Sequence, residues 1–258
     1  NPEKQLAYPN RDNESDIPYF FTDLKEYLST IISVCDFVKG KKRSDKKINI
    51  SFDEWGVISD TSAIPGGVGQ EYGFASFKLI DAVIYGGLMC TFMNHADRVK
   101  IACQSLLVNE GGMISTSPEG KVIRQATFYP FKDVAHFGFG VALKGVGDIP
   151  TVATDHHGEQ PSLVASCVYN EETGEVTVFA ANVDMHEDLE LNLSIEGFGD
   201  LKGLAWHELY NDNPYAKNTF EQDKVVVPTE KELNDASDGK ISIILKKHSW
   251  NVLRFKIK

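Results

Sequence analysis

Cysteine is scarce in this sequence, and long apolar runs are missing from it. The four cysteines lie far apart, without the CxxC spacing of a zinc or redox site, at Cys35, Cys90, Cys103 and Cys167. We therefore expect buried free thiols in a reducing compartment, the cytoplasm, rather than a disulfide framework. No apolar run reaches the roughly 18 residues that a transmembrane helix needs, so no membrane partner is expected.

Positive charge is also in short supply. The chain has 26 basic and 37 acidic residues, which gives a formal net charge of -11. Such a surface repels nucleic acid and is compatible with a neutral partner such as carbohydrate. The glycine patterns GxGxxG and GxxxxGKS, which hold phosphates at the start of a helix, are absent as well. These absences disfavour a nucleotide-dependent enzyme.

The first hundred residues alternate between helical and extended patterns. Residues 19–39 carry apolar side chains at helical spacing and end in a basic run. Residues 47–52 alternate between polar and apolar side chains and lead into Asp53-Glu54-Trp55. A largely apolar segment at 72–93, locally interrupted by glycines, precedes an apolar strand at 99–107. This order predicts a strand–helix–strand unit with parallel strands.

Beyond about residue 112 the pattern changes to short extended segments separated by turn clusters. Residues 171–175, between two alternating strands, are typical of a hairpin. Trp206 and Trp250 stand at alternating positions, which favours side chains that fill a core. This half predicts an antiparallel β-sandwich. The predicted strands are residues 122–128, 163–169, 176–183, 189–195, 204–209, 225–227, 241–245 and 250–257.

The predicted fold class is therefore α/β followed by all-β. A lone pair of parallel strands would leave one sheet edge and one face uncovered. A complete (β/α)8 barrel takes about 250 residues, so the chain cannot hold both a barrel and a sandwich. We expect residues 1–112 to form the last part of a (β/α)8 barrel and residues 113–258 to form a C-terminal antiparallel β-sandwich.

Two adjacent carboxylates stand where barrels of this kind place their active sites, at the carboxyl end of a strand. Retaining glycosidases use two carboxylates about 5 to 5.5 Å apart. Asp53 and Glu54 are neighbours on a strand, so we expect them to point to opposite faces and only one to enter a pocket. A capped turn or a salt bridge is the structural alternative.

Two histidine-containing clusters have simpler interpretations than a site. Asp155-His156-His157 has no third ligand at helical or strand spacing, which predicts a solvated loop and no metal. His95-Ala96-Asp97 follows a helix without an activated serine or cysteine motif, which favours a helix cap over a catalytic triad.

The segment Asn49–Trp55, with the basic run at 39–44 before it, closely resembles the region around the nucleophile in glycoside hydrolase family 51 α-L-arabinofuranosidases. The resemblance covers most of the chain and implies a (β/α)8 barrel with a C-terminal β-sandwich. It implies that Glu54 attacks an arabinofuranosyl anomeric carbon to form a covalent glycosyl-enzyme, while Asp53 and Trp55 shape its surroundings. Further matching segments are residues 9–13, 95–102, 107–109, 128–131 and 249–252.

This resemblance also implies the reaction and the partners. The enzyme would release terminal L-arabinofuranose from oligosaccharides or polysaccharides, would need no metal or cofactor, and would form a homo-oligomer when intact. The family's acid/base glutamate belongs to an Asn-Glu dipeptide on an earlier barrel strand. The Asn-Glu pairs of this chain lie in other contexts, at Asn13-Glu14, Asn109-Glu110 and Asn170-Glu171.

The missing acid/base predicts a missing partner, the N-terminal half of the barrel. Without it, we expect the chain to be inactive and aggregation-prone or oligomeric, because unpaired strand edges and apolar helix faces are costly in water.

The expected substrate contacts depart from the family in two places. Gly56 stands where the family usually has asparagine, and Leu106 stands where it has a substrate-contacting glutamine. Gln104, two residues earlier, is the candidate in its place. Tyr8 is the nearest candidate for the family's tyrosine beside the nucleophile, although it could equally pack against Pro9. The expected contacts are thus Tyr8, Asp53, Trp55 and Gln104.

A non-catalytic β-sandwich module that binds carbohydrate or another subunit is the alternative function. An exposed row of aromatic side chains on the sandwich would favour that alternative. The sequence pattern favours core aromatics instead.

Overall fold

The computed structural model describes residues 14–57, 76–109 and 111–258. Its first part contains a strand–helix–strand unit, as predicted, and strands β1 and β2 pair in parallel. In chain order, a 3-10 turn at Glu14–Asp16 is followed by helix α1 (Tyr19–Lys41), strand β1 (Ile50–Trp55), helix α2 (Leu79–Met93) and strand β2 (Val99–Gln104). Strand β2 is shorter than the predicted 99–107.

Helix α1 is amphipathic and confirms the prediction for residues 19–39. Its buried face is formed by Tyr19, Phe21, Leu24 and Leu28, and lysines occupy its last turn. The helix is tied to the strands at its far end. Arg98 donates to Asp36 Oδ2 at 2.9 Å and to the Ile48 carbonyl at 3.1 Å.

Helix α2 is buried on all sides, and two glycines make this possible. The sequence pattern predicted a local break at these glycines, but the helix runs through them. A Cβ at Gly86 would lie 2.2 Å from Trp250 Cε3, and a Cβ at Gly87 would lie 2.3 Å from Phe21 Cε1. The glycines therefore let one aromatic ring from the C-terminal half and one from α1 reach the helix backbone.

The C-terminal half is an antiparallel β structure. Its first strands are β3 (Ile114–Thr116), β4 (Val122–Arg124), β5 (Val141–Leu143), β6 (Thr151–Thr154) and β7 (Gly158–Pro161). The others are β8 (Leu163–Asn170), β9 (Glu175–Asn182), β10 (Leu189–Ser194), β11 (Leu201–Leu209), β12 (Thr229–Lys231), β13 (Lys240–Leu245) and β14 (Ser249–Ile257). A six-stranded sheet has the order β12-β11-β14-β9-β8-β5, and β10 pairs with β13 in a second sheet.

Both faces of the six-stranded sheet are covered along β9 and β14. On one face, Val178 and Leu253 contribute to a core that the β10–β13 sheet shares. On the other face, Phe179 and Val252 join the core around α2. These positions alternate along each strand, so each face receives every second side chain. This explains why β9 is apolar at consecutive positions.

Two predictions for the C-terminal half were wrong. The predicted strand 122–128 is only the short β4, and residues Phe128–Phe137 form a helix, α3, which packs on α2. Pro130 is tolerated there because it lies in the first helical turn. The predicted strand 225–227 is not one. The hairpin at 171–175 is confirmed between β8 and β9, while the boundary at residue 112 stays a prediction.

The β6–β7 hairpin corrects the expectation of a solvated loop at Asp155-His156-His157 in part, because Asp155 and His156 are exposed in its turn but His157 is half-buried. The His157 ring stacks on Tyr19 at 3.7 Å between centroids. His156 Nδ1 lies 2.8 Å from Asp16 Oδ2. The hairpin thus docks on the start of α1. Across the described ranges, no helix combines the length and apolarity needed to cross a bilayer.

A glycine-to-alanine comparison tests the packing of α2. Gly86→Ala should destabilise the fold by about 1–3 kcal/mol, because its methyl group would overlap the Trp250 ring. Gly40→Ala is the control, since a Cβ there meets nothing within 4 Å. That change should stabilise by about 0.5–1 kcal/mol through helix propensity. Thermal unfolding measures both, and equal effects would contradict the packing argument.

Candidate functional site

The carboxylates Asp53 and Glu54 lie at an irregularity in the pairing of β1 with β2. Phe52 pairs with Ala102 and Trp55 with Gln104, so three steps along β1 match two along β2. Asp53 and Glu54 lie between these pairs, and both are exposed. The strict alternation that predicted opposite faces is therefore interrupted here, because a bulge inserts one extra residue into the strand.

The two carboxylates differ in their partners. Asp53 accepts a hydrogen bond from the Ser51 hydroxyl at 2.5 Å. Glu54 has no side-chain hydrogen bond or ion pair with any residue that the structure describes. Glu54 is therefore the carboxylate with fewer partners among the described residues, and its role as nucleophile stays a prediction.

Trp55 holds the end of β1 in place. Its side chain is buried and faces the helices. The indole ring centroid lies 5.2 Å from that of Tyr85, 5.5 Å from that of Phe92 and 6.4 Å from that of Phe131. Aromatic side chains in such contacts have little freedom to move. Trp55 thus fixes the backbone beside Glu54 through helices α2 and α3.

Gln104 ends β2 and lies next to the same point, as the pairing partner of Trp55. Its amide nitrogen donates to the Tyr85 hydroxyl at 3.3 Å and to the Ser105 carbonyl at 2.5 Å. Burial raises the pKa of Tyr85 to about 12, so the phenol stays neutral in the physiological range.

Tyr85 is the functional candidate that sequence reasoning missed. Within the apolar helix pattern, a tyrosine is indistinguishable from a core residue. Gly56 lies directly beside it, since a Cβ at Gly56 would be 3.1 Å from the Tyr85 oxygen. The absent side chain at position 56 therefore leaves room for the hydroxyl. Leu106 has a left-handed backbone with φ 62° and is exposed.

The remaining candidates lie elsewhere. Tyr8 and Glu110 lie outside the described residues. Glu14 accepts a hydrogen bond from the Tyr215 hydroxyl, and Glu171 is exposed in the turn between β8 and β9. Neither sits at the ends of β1 and β2. In the described ranges, no three His, Cys, Asp or Glu side chains are grouped for a metal.

The cysteines are free, but not all of them are buried as expected. Cys103 in β2 is exposed. Burial raises the pKa of the Cys90 thiol and raises that of Cys167 to about 12. Cys103 is therefore the more accessible thiol, and it lies one residue before Gln104.

Sequence comparisons agree on one family. A sequence model of the α-L-arabinofuranosidase C-terminal domain matches residues 53–249. An intracellular exo-α-(1→5)-L-arabinofuranosidase of Acetivibrio thermocellus is 32% identical, over 96% of this chain and 51% of that protein. An exo-α-(1→6)-L-arabinofuranosidase of Bifidobacterium longum is also 32% identical, over 91% of this chain and 47% of that protein. The chain spans about half the length of these relatives.

Solved structures give the same picture. A family 51 α-L-arabinofuranosidase from Bifidobacterium longum has a TM-score of 0.83 at 27% identity, over 93% of this chain and 49% of that one. An α-L-arabinofuranosidase from Thermotoga maritima, solved in an arabinose complex, shares the fold with a TM-score of 0.77 at 21% identity. The match with this chain covers 50% of the length of the Thermotoga maritima protein.

Two tryptophans of this chain allow a matched test of the buried hydrogen bond that Trp250 makes to Asp133. Trp250 donates from Nε1 to the buried Asp133 carboxylate at 3.1 Å. Trp55 Nε1 is buried without a hydrogen-bond partner in the described part of the chain. Trp250→Phe should therefore cost about 1–3 kcal/mol more than Trp55→Phe, because it leaves a buried carboxylate without its donor. Urea unfolding of the two variants measures the difference in their free energies of unfolding. A larger loss of stability in Trp55→Phe would contradict the contribution assigned to the Trp250–Asp133 hydrogen bond.

Proposed function

This chain belongs to the α-L-arabinofuranosidase C-terminal domain family, within glycoside hydrolase family 51, and we propose that it forms the C-terminal half of a retaining, exo-acting α-L-arabinofuranosidase. Glu54 is its nucleophile. The observation that carries this proposal is the Glu54 carboxylate, which is exposed and has no partner among the described residues, at a strand end that Trp55 anchors. The relatives named above are exo-acting α-L-arabinofuranosidases.

The proposed reaction has two displacement steps. In the first step, a Glu54 oxygen forms a bond to the anomeric carbon, and the glycosidic bond breaks as the leaving oxygen takes a proton from the acid/base. In the second step, a water molecule gives a proton to the acid/base, and the water oxygen displaces Glu54 from the same carbon. Two inversions give net retention. Neither step needs a metal or a cofactor.

The acid/base carboxylate comes from the N-terminal half in this proposal. It must lie about 5 to 5.5 Å from the nucleophile. Asp53 accepts a hydrogen bond from the Ser51 hydroxyl and lies next to Glu54 at the same strand end. Its proposed role is therefore to shape the site. Gln104 is proposed to line the arabinose pocket with Asp53. Trp55, expected from the sequence as a further contact, is buried and faces the helices, so its proposed role is to support the pocket wall. Tyr8 remains a candidate contact.

The exposed parallel pair supports a missing partner. Sheets of parallel strands are normally covered on both faces. Here β2 is exposed at most positions after Val99, and Ile101, Leu106 and Leu107 are each at least half exposed. Helix α1 also presents Phe37, which is 70% exposed. We propose that β1 and β2 are the last strands of a (β/α)8 barrel, which the N-terminal half completes and which assembles into a homo-oligomer.

The named relatives indicate the class of substrate and the cellular compartment that we propose for this protein. The relatives are named for α-(1→5) and α-(1→6) bonds, so the proposed substrate is a terminal arabinofuranosyl group of an arabinose-containing oligosaccharide or polysaccharide. The first of these relatives is named as intracellular. A cytoplasmic location fits the free thiols of this chain.

The alternative, a non-catalytic carbohydrate-binding sandwich, has less support. Trp250 is buried, and Lys231 lies over the Trp206 ring at 4.4 Å from its centroid. Along the strands that the structure describes, no large aromatic side chain is among the exposed ones. A row of sugar-stacking rings is therefore not present on these strands.

An activity assay tests the nucleophile. The chain combined with its N-terminal half should hydrolyse 4-nitrophenyl α-L-arabinofuranoside, and Glu54→Ala should lower kcat by about 10⁴-fold or more, because covalent catalysis is lost. Glu171→Ala is the matched control, since Glu171 is also an exposed glutamate but lies in the turn between β8 and β9, away from the ends of β1 and β2. Activity that survives Glu54→Ala would exclude this role.

Thiol labelling tests the missing half. Iodoacetamide should modify Cys103 readily in the chain alone, and the N-terminal half should slow that reaction by about tenfold or more, because the exposed thiol becomes covered. Cys90 should stay unmodified in both samples because it is buried. The chain alone should show no hydrolase activity. Unchanged Cys103 labelling in an active mixture would argue against coverage of β2.

A further inference from the structure

The Gln104 amide has a fixed orientation that its neighbours determine. Its nitrogen lies within hydrogen-bond distance of the Ser105 carbonyl and the Tyr85 hydroxyl. A carbonyl oxygen can only accept, so the group facing Ser105 must be the NH2 group. One N–H then points to Ser105 and the other to Tyr85. Both donors of the Gln104 amide are thereby used inside the protein.

The amide oxygen of Gln104 is left for another partner. Within the described ranges, no hydrogen bond is found for this oxygen, and the side chain is partly exposed. It lies at the end of β2, beside Trp55 and next to the bulge that carries Glu54. A group with only an acceptor to offer selects a ligand with a hydroxyl donor at that place.

The neighbours of Tyr85 hold its side chain in one position. The residue is 1% exposed, and its ring contacts Trp55 and Phe77 with centroids 5.2 and 5.8 Å away. Its ring packs against Trp55 at the end of β1, and its oxygen accepts from Gln104 at the end of β2. Tyr85 therefore joins the ends of the two strands. The missing Cβ at Gly56 keeps the space for this contact open.

We propose that Tyr85 is a positioning residue that, with the Ser105 carbonyl, turns the Gln104 amide oxygen toward the substrate as an acceptor for one arabinose hydroxyl. This inference rests on the proposed function, because it takes arabinofuranosides as the substrate. It adds a specificity element that acts through a tyrosine inside helix α2. Tyr85 itself does not touch the substrate.

Kinetics with deoxygenated substrates test the proposal in the assembled enzyme. Tyr85→Phe should lower kcat/KM for 4-nitrophenyl α-L-arabinofuranoside by about five- to tenfold, the range expected for one neutral hydrogen bond. The same variant should show no loss on one of the 2-, 3- or 5-deoxy analogues, the one lacking the hydroxyl that Gln104 accepts. It should also show no further loss in a Gln104→Ala background. A general packing defect would reduce activity equally on every analogue, and that result would overturn the proposal.

Tyr169→Phe is the matched control. Tyr169 lies in β8 and packs against Phe198 at 4.8 Å between ring centroids, so this change should leave kcat/KM within about twofold on all substrates. An equal loss in Tyr85→Phe and Tyr169→Phe would also contradict the positioning role.

A crystal structure of Tyr85→Phe separates this proposal from the proposed function. If the wild-type assembly hydrolyses no arabinofuranoside, the proposed function fails, and the orientation of the Gln104 amide then decides the positioning role. An amide that rotates away from its wild-type orientation in Tyr85→Phe supports that role. An amide that stays unchanged overturns it.

Discussion

The burial of helix α2 on every side is the constraint on which the rest of the structure depends. Few helices in a domain of this size have no solvent face, and such a helix needs neighbours on all of its surfaces. Helix α1 supplies one side through Phe21, and the six-stranded sheet supplies another through Trp250. Gly86 and Gly87 permit both contacts, because any side chain there would overlap a ring. The α/β unit and the sheet therefore share one continuous core.

This shared core also controls the candidate site. The rings that hold Trp55 belong to α2 and α3, and Trp55 in turn holds the backbone beside Glu54. Glu54 lies on a bulge between two anchored residues, Phe52 and Trp55. Under the proposed function, this nucleophile would lose little entropy when the substrate binds, because its backbone is already ordered. Packing several residues away would thus contribute to the proposed chemistry at the strand end.

The two parts of the chain differ in how fully the faces of their sheets are covered. The sheet region covers both faces of β9 and β14, and its edge strands are short. The parallel pair has one covered face and exposed apolar side chains on the other. This contrast is the physical basis for a partner that supplies further strands, and it coincides with relatives that are about twice as long.

Local periodicity allowed the sequence by itself to predict α1, the β1–α2–β2 order and most sheet strands, because each is encoded within a short segment. The choice of Glu54 came instead from the resemblance of Asn49–Trp55 to the family 51 nucleophile region, and it stays a prediction. Helix α3 was not predicted from the sequence, because a short apolar run is compatible with either a strand or a helix. Its contact with α2 decides between the two. Only the tertiary structure placed the bulge, which arises from pairing with β2, and docked His157 on Tyr19. It also brought Tyr85 to Gln104 across 19 residues. Such features depend on contacts between distant segments, and no local pattern records them.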